Sequence, residues 1–268
     1  MTTTQDFAEG KLVAACDGGI GTLTFHNEPR KNAITAAMWR AIPRALHFLT
    51  VEAGARVIIL AGAGGQDFSA GADISEFETV RKDAETARAY ELENSAAFRA
   101  IRAARVPTIA AIRGICYGGG FGIAAACDMR LADESARFAI PAARLGLAYP
   151  ADAVQDILLA LGNQTTRKLL YTGLPLTARE LEPSGFLLQI ADGVEGLEKE
   201  VFTIARAIAA NAPISLAASK LAVRAVTEND NVLMSEAEVL GASTFESADY
   251  AEGRAAFAER RKPVFKGA

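Results

Sequence analysis

Residues 107–122, PTIAAIRGICYGGGFG, decide the fold, because a short apolar run leads directly into a cluster of glycines. The run Pro107–Ile112 is typical of a buried strand. The glycines after it predict a turn into a helix that continues through Ala126. A second stretch has the same order: the apolar run Val57–Ala61 precedes a glycine-rich loop and then Phe68–Ile74, FSAGADI. Two buried strands, each followed by a glycine turn, indicate an α/β fold.

Both glycine turns are predicted to end at a helix N-terminus. Glycine leaves the backbone N–H groups of such a turn accessible and lets a ligand approach closely. Two N–H groups that point at one oxygen would form an oxyanion hole. The alternative is that both are ordinary connections between a strand and a helix, and the residues alone leave the two interpretations equally supported.

The rest of the chain extends this pattern in both directions. Leu12–Cys16 and Ile20–Phe25 flank Asp17-Gly18-Gly19 and predict a β-hairpin. Strand and helix patterns alternate through the first two thirds, whereas the last third is nearly all helix. We therefore expect an α/β core followed by a helical segment.

Composition and charge exclude several classes of protein. Half of the 268 residues are apolar and 22% are charged, which excludes a disordered chain. The net charge is −4 and the pI about 5.4, so we expect no nucleic-acid partner. Three cysteines are too few for a disulfide framework. The N-terminus lacks the pattern of a signal peptide, and the longest uncharged stretch, Gly114–Cys127, is too short to span a bilayer. We predict a cytoplasmic protein with no membrane partner.

Common catalytic motifs are absent from the sequence. His26 and His47 lie far apart and outside any metal-ligand spacing, so we expect no metal site. The chain has no phosphate-binding G-x-x-x-x-G-K-[ST] loop, and the glycines at 118–122 do not fit the dinucleotide fingerprint. No serine lies in a G-x-S-x-G elbow. Cys127, in an apolar helix, is interpreted as a core residue.

The sequence resembles the enoyl-CoA hydratase/isomerase (crotonase) superfamily. Four blocks in the order of that family carry the resemblance: Asn27–Ile34, Phe68–Ile74, Gly114–Arg130 and Phe245–Gly267. The resemblance implies an α/β fold with a crotonase-like spiral of ββα turns over residues 1–195. It also implies a C-terminal helical trimerisation segment over residues 196–268, in a homo-trimer or a hexamer built from two trimers. We expect the helices from Ile214 onward to carry apolar surface that closes a threefold interface.

The resemblance further implies an acyl-CoA substrate and no cofactor beyond its coenzyme A thioester. In this family two backbone N–H groups stabilise a thioester enolate, and the matching residues here are Ala72 and Gly119. Gly119 would open a helix whose dipole favours negative charge. The remaining residues that the resemblance places along the substrate and CoA are Lys31, Ala33, Ala70, Asp73, Ile74, Gly118, Pro141, Ala142, Leu145 and Arg260, the last from the same or a neighbouring subunit.

The chain departs from the family pattern at two positions. Family hydratases carry two glutamates that position and activate water, and the matching residues are Gly122 and Ala142. Neither can transfer a proton, so we expect no ordinary hydration. The predicted reaction is atypical: decarboxylation, isomerisation or a lyase-like step. The alternative is a non-catalytic acyl-CoA-binding member or a hetero-oligomer partner.

Tyr149 and Asp152 are the candidate replacements for the missing acids. Tyr149 matches the position of an active-site tyrosine in a methylmalonyl-CoA decarboxylase of the family. Asp152 lies two residues from the position where dehalogenase and dienoyl-isomerase relatives place an aspartate. The structural alternatives are that Tyr149 is an aromatic residue at the edge of the site without a catalytic role, and that Asp152 caps a helix.

Overall fold

The computed structural model describes residues 2–268, which form a mixed α/β structure. The strands are β1 (Thr3–Phe7), β2 (Leu12–Asp17), β3 (Ile20–Phe25), β4 (Val57–Gly62), β5 (Thr108–Ile112), β6 (Ile115–Tyr117), β7 (Met129–Asp133), β8 (Arg137–Ala139), β9 (Leu176–Thr177) and β10 (Gln189–Ala191). The α-helices are α1 (Ala36–His47), α2 (Phe77–Val80), α3 (Ala84–Arg102), α4 (Gly119–Ala126), α5 (Ala151–Leu161), α6 (Asn163–Thr172), α7 (Ala178–Leu181), α8 (Gly193–Ala209), α9 (Pro213–Glu228), α10 (Asn231–Ser243) and α11 (Ala248–Glu259). The predicted α/β class and the helical C-terminal third are confirmed.

The strands form two sheets. The larger has seven strands in the order β1-β2-β3-β4-β5-β7-β10, and the smaller has three in the order β6-β8-β9. Strands β1, β2 and β3 pair antiparallel, which confirms the predicted hairpin, whereas β3 through β10 of the large sheet pair in parallel. The β-branched runs in β4 and β5 are buried, as a parallel sheet covered on both faces requires.

The parallel pairing of β4 and β5 brings the two glycine turns together. Ile58 of β4 lies opposite Thr108 of β5, so the carboxyl ends of both strands meet at one edge of the sheet. Two isolated β-bridges hold the turns in place: Ile34 pairs with Ala72, and Ser69 pairs with Cys116. The two turns, more than 40 residues apart in the chain, therefore lie side by side.

Apolar cores lie on both faces of the large sheet. The larger core contains α1, α3, α4 and α5, and its centre includes Trp39, Phe98 and Phe121. The smaller core packs α8 against strands β4 and β5 through Leu197 and Val201. The predicted boundary between residues 195 and 196 falls inside α8, and the division into two domains stays a prediction.

The last three helices bury little of their apolar surface. Among the residues that are fully buried, α9 contributes Ala225 and α10 contributes Ala237. The large apolar side chains left exposed on residues 214–268 are Val223, Val226, Val232, Val239, Phe245, Tyr250, Phe257 and Val264. This distribution agrees with the expected excess of apolar surface, and the trimer or hexamer stays a prediction.

No single helix between residues 2 and 268 is both long and apolar enough to cross a membrane. One pair of helices, α8 and α9, reaches that length and composition together, but the chain bends by 110° between them.

Candidate active site

The two glycine turns touch each other through their backbones. Gly71 has a φ of +91°, a conformation that side chains rarely adopt. A Cβ at this position would lie 2.7 Å from the Tyr117 carbonyl oxygen and 2.8 Å from the Gly119 nitrogen. Glycine is therefore required here both by the backbone angle and by the close approach of the second turn.

The two predicted amides face a common space. A Cβ on Gly119 would lie 3.5 Å from the nitrogen of Ala72. The neighbouring amides are engaged, since Asp73 donates to the Ile34 carbonyl and Gly118 donates to the Ala139 carbonyl. Within residues 2–268, the N–H groups of Ala72 and Gly119 themselves donate to no acceptor. Gly119 is also the first residue of α4, where the helix dipole favours negative charge.

These amides open onto a cavity of about 140 Å³. The residues that line the cavity are Ala70, Ala72, Ile74, Phe77, Arg81, Asn94, Phe98, Gly118, Gly119, Pro141, Ala142, Leu145, Leu147, Ala148, Tyr149 and Pro150. Nine of the predicted site residues belong to this set: Ala70, Ala72, Ile74, Gly118, Gly119, Pro141, Ala142, Leu145 and Tyr149.

Five predicted site residues lie outside the cavity lining. Lys31 is exposed, and its carbonyl accepts a hydrogen bond from the Ala70 amide at 2.9 Å. Ala33 is buried in the same loop. Asp73 is buried and accepts hydrogen bonds from the Ser75 amide and hydroxyl. Asp152 and Arg260 lie on other elements. The roles that the resemblance implies for these five stay predictions.

Asp73 has the electrostatics of a structural carboxylate. Burial alone would raise the pKa of Asp73, but hydrogen bonds from Ser75 and Asn27 outweigh that effect and lower it. Asp73 also caps the short helical turn Ile74–Glu76 through the Ser75 amide. The Asp73 carboxylate is therefore held ionised. It stabilises the first glycine turn directly after Ala72 in the sequence.

Asp152 and Arg260 are placed away from the cavity wall. Asp152 lies in the first turn of α5, where its carboxylate accepts hydrogen bonds from the Ser95 hydroxyl at 3.1 Å and the Ala153 amide at 2.9 Å. Arg260 ends α11 in the left-handed conformation and is exposed. The N-cap of α5 is Pro150 and Asp152 is the second residue of the helix, so Asp152 is not the helix cap of the structural alternative, and its catalytic role stays a prediction.

Tyr149 fills the space beside Gly122. A Cβ on Gly122 would lie 2.6 Å from the Tyr149 hydroxyl oxygen and 2.7 Å from the Phe98 ring. The same hydroxyl donates a hydrogen bond to the Gly118 carbonyl at 2.8 Å. The ring is partly exposed, but its hydroxyl end is enclosed, and this burial raises the pKa of Tyr149. The tyrosine is therefore neutral at ordinary pH and bonded to the turn that carries Gly119.

The cavity offers little acid–base chemistry. Of the described residues that line it, none is an aspartate, glutamate, histidine or cysteine. Ala142 lies in the wall, where its methyl group contributes only apolar surface. Tyr149 carries the only phenolic hydroxyl in this lining, and that proton is already donated to Gly118. Residues 2–268 also contain no cluster of three acidic, histidine or cysteine side chains that could hold a metal ion.

Sequence reasoning missed seven of the lining residues: Phe77, Arg81, Asn94, Phe98, Leu147, Ala148 and Pro150. Phe98 packs edge-on against Trp39, with ring centroids 5.5 Å apart, and Trp39 in turn donates a hydrogen bond to the Tyr90 hydroxyl. Tyr90, Asn94 and Phe98 follow each other at intervals of four on α3, so they share one face of that helix. A polar residue between two aromatic positions was the signal available in the sequence.

Comparison with known proteins identifies the family. The model of the enoyl-CoA hydratase/isomerase family matches residues 16–268. A short-chain-enoyl-CoA hydratase of Clostridium acetobutylicum is 28% identical over 248 residues, covering 92% of this chain and 94% of the relative. The crystal structure of an enoyl-CoA hydratase/carnithine racemase from Magnetospirillum magneticum aligns with a TM-score of 0.90 and 31% identity, over 98% of this chain and 97% of that one. An enoyl-CoA hydratase structure from Bacillus anthracis aligns with a TM-score of 0.88 and 28% identity, over 96% and 100% of the two chains. With its family model, its relatives and its fold in agreement, this chain belongs to the enoyl-CoA hydratase/isomerase family.

Proposed function

We propose that the protein is an enzyme that acts on an acyl-CoA thioester and stabilises its enolate between the N–H groups of Ala72 and Gly119. The observation that carries this proposal is the pair of neighbouring amides at the cavity, neither of which donates to an acceptor within residues 2–268. The Gly119 N–H is one of the groups that a helix leaves without an intrahelical acceptor at its N-terminus, so it is available to a ligand. Two such groups at the first turn of a helix suit an oxygen that gains negative charge.

The reaction is not hydration of a double bond. Syn-hydration in this family uses two carboxylates, and this chain has Gly122 and Ala142 at those positions. The space beside Gly122 is filled by the Tyr149 hydroxyl and the Phe98 ring, so no other carboxylate can occupy it. Each lost acid–base role lowers the rate about 10²–10⁴-fold.

A reaction that forms its enolate without a carboxylate base fits this cavity best. In a decarboxylation the bond between the α-carbon and a carboxylate breaks, CO₂ leaves, and the electron pair moves into the thioester to form the enolate. A proton from solvent then adds to the α-carbon. The step requires stabilisation of the thioester oxygen, which the two amides supply, and no proton abstraction. The proposal also covers an isomerisation or a lyase-like reaction that forms the same enolate.

A second candidate function is acyl-CoA binding without catalysis, either alone or as a partner in a hetero-oligomer. The observation in its favour is the cavity lining, which within the described residues contains no acidic side chain. The unpartnered amides favour the enzyme, because two such donors stabilise a charged enolate oxygen more strongly than the neutral thioester oxygen of a ligand that is only bound.

The test is a turnover screen with the purified protein. Crotonyl-CoA hydration should be at least about 10⁴-fold slower than in a family hydratase that carries both glutamates. Malonyl-type, enoyl and hydroxyacyl thioesters are then assayed for product by chromatography and mass spectrometry. Turnover of a malonyl-type thioester supports the proposal. Hydratase-like rates with crotonyl-CoA contradict it, and tight binding of every thioester with no turnover favours the binding protein instead.

A further inference from the structure

The lining of the cavity also holds two polar side chains that the proposed enolate chemistry does not use. Arg81 directly follows α2, and Asn94 lies in the middle of α3. Both line the cavity beside the aromatic rings of Phe77 and Phe98. A wall that served only an alkyl chain would have no need of a cation and an amide.

Asn94 is a buried amide without a partner. Its residue is 6% exposed, and its Oδ1 atom is enclosed yet accepts no hydrogen bond from residues 2–268. Tyr90 and Phe98, one turn away on either side along α3, are buried aromatic residues. Buried amide groups in native proteins usually have hydrogen-bond partners. Oδ1 is an acceptor, so a carboxylate cannot be its partner, whereas the Asn94 Nδ2 group, which also forms no hydrogen bond within residues 2–268, is the donor that this side chain offers to a ligand in the cavity.

Arg81 is a positioned charge without a counterion. Its guanidinium lies 4.8 Å from the ring centre of Phe77 and 4.7 Å from that of Tyr90, which holds it in place. Its Nε atom is buried and donates to no acceptor, and none of the ion pairs within residues 2–268 includes it. The nearby carboxylates are already engaged: Glu76 accepts from the Ala36 amide at 2.8 Å, and Asp73 accepts from Ser75.

We infer that Arg81 and Asn94 bind a second carboxylate on the acyl group, so that the substrate is a CoA thioester of a short dicarboxylic acid. The inference rests on the proposed function, because the Ala72 and Gly119 amides fix where the thioester lies. Arg81 supplies donors in a fork that matches a carboxylate. The Asn94 amide, which can turn its nitrogen toward the cavity, adds a further donor to the same group.

The size of the cavity limits the length of this acid. A cavity of about 150 Å³ is known to hold a molecule as large as benzene, and the volume here is about 140 Å³. Benzene has six heavy atoms, a succinyl group has seven and a glutaryl group eight, so an acyl group of about three to five carbons, its second carboxylate included, is close to this size. Succinyl-CoA and glutaryl-CoA are therefore the probes of choice, with butyryl-CoA and pentanoyl-CoA as neutral thioesters of equal chain length.

The experiment measures binding by isothermal titration calorimetry and needs no turnover. Glutaryl-CoA should bind about 10- to 100-fold more tightly than pentanoyl-CoA, as expected for hydrogen bonds to a charged group. Arg81→Met should bring the ratio of the affinities for glutaryl-CoA and pentanoyl-CoA to about one, while the affinity for free CoA, which has no acyl group, should stay within about twofold. Arg88→Met is the matched control, because it removes the same charge from an exposed position on α3 outside the cavity lining.

Asn94→Asp is the second variant, and it keeps the test decisive if Arg81→Met fails to fold. It preserves the shape of the side chain but places a negative charge against the carboxylate of the ligand, so glutaryl-CoA should lose affinity and pentanoyl-CoA should not. Equal binding of the charged and neutral thioesters by the unaltered protein overturns the inference and leaves the proposed function standing. Loss of free CoA binding in Arg81→Met also overturns it, since the arginine would then serve the phosphates of CoA. Failure to bind any acyl-CoA thioester removes the proposed function itself.

Discussion

The two sides of the cavity are built from different parts of the polypeptide. On one side, the groups that face the ligand are backbone amides of Ala72 and Gly119, fixed by a sheet edge and two tight turns. On the other side they are side chains, among them Arg81 and Asn94, carried by α3 and the turn before it. A substitution other than proline leaves a backbone N–H donor in place, although it can obstruct the space beside it, whereas the side-chain donors are lost with one substitution. With this arrangement, a fold can keep the same pair of backbone donors while its side chains change the substrate that binds.

The largest expected effect comes from closing the space between the two amides. In Gly119→Ala the new methyl group would lie 3.5 Å from the Ala72 nitrogen, where the thioester oxygen has to fit, and 2.8 Å from the Trp39 ring. We expect kcat/KM for the identified substrate to fall about 10²–10³-fold, the usual effect of losing one oxyanion donor. Steady-state kinetics measure the loss, with free CoA affinity as the control for intact binding.

The double variant Gly119→Ala/Trp39→Phe separates obstruction from strain. The smaller phenylalanine ring relieves the contact with the new methyl group but leaves that group in the hole. Trp39→Phe alone is destabilising, because it removes the hydrogen bond to Tyr90 and leaves a cavity, so it is the reference for the double variant. Gly119→Ala should cost less stability in the Trp39→Phe background than in the unaltered protein, and activity should stay low. Full activity in the double variant would mean that Gly119 is needed only for packing against Trp39 and that the amides do not hold the thioester oxygen.

The fold class and the two glycine turns were predictable from the sequence because their signals are local, whereas the choice of Ala72 and Gly119 as the oxyanion amides came from the family resemblance. A β-branched run followed by glycines identifies a buried strand and its exit, and the placement of Gly118 and Gly119 at the start of α4 follows from that pattern. The strand β1, at Thr3–Phe7, was missed, since the polar sequence TTQDF lacks apolar alternation and pairs only through its backbone with β2.

The side-chain wall was not predicted because its signals depend on which face of α3 is buried. The sequence showed Tyr90 and Phe98 as apolar positions, and Asn94 lies midway between them on the same face. Asp152 shows the same limit: its position near a family aspartate suggested catalysis, its carboxylate is bonded to the Ser95 hydroxyl and the Ala153 amide, and its catalytic role stays a prediction. The sequence gives the spacing of such residues but not the pairing of their polar atoms.

Gly122 and Ala142, the two positions that match the family glutamates, should differ in how much stability is lost when a glutamate is introduced. Gly122→Glu would force its side chain into the Tyr149 hydroxyl and the Phe98 ring and bury an unpaired carboxylate. We expect a loss of at least about 3 kcal/mol in the free energy of unfolding. Ala142→Glu, on the partly exposed cavity wall, should change it by less than about 1 kcal/mol.

Urea denaturation of both variants, with Gly122→Ala as an intermediate case, measures this difference. Even the single methyl group of Gly122→Ala meets atoms at 2.6–2.8 Å, so its loss should fall between the other two. Equal stability of Gly122→Glu and Ala142→Glu would show that the residues around Tyr149 rearrange at little cost. It would contradict the proposal that the space beside Gly122 is filled and the space beside Ala142 is open.

The smallest expected effect tests how the two sides of the cavity are joined. The Tyr149 hydroxyl donates to the Gly118 carbonyl, next to the Gly119 amide. Tyr149→Phe removes that hydrogen bond and should lower the free energy of unfolding by about 1 kcal/mol at pH 7. Because the ring remains, the Phe98 packing and the affinity for free CoA should be unchanged.

The pH dependence of the free energy of unfolding of Tyr149→Phe tests the contact between the Tyr149 hydroxyl and Gly118 independently. Burial raises the pKa of Tyr149 above that of a tyrosine in the unfolded chain, which is about 10. Above pH 10 the unfolded state therefore releases a proton that the folded state keeps, and the folded protein loses stability as the pH rises. Tyr149→Phe lacks this contribution, so its disadvantage relative to the unaltered protein should shrink between pH 10 and 11. Tyr90, whose pKa burial raises to about 12, contributes equally to both proteins and cancels in the difference. Urea titrations at pH 7, 9, 10 and 11 measure it, and a disadvantage that stays constant up to pH 11 would mean that the Tyr149 hydroxyl is not enclosed against Gly118.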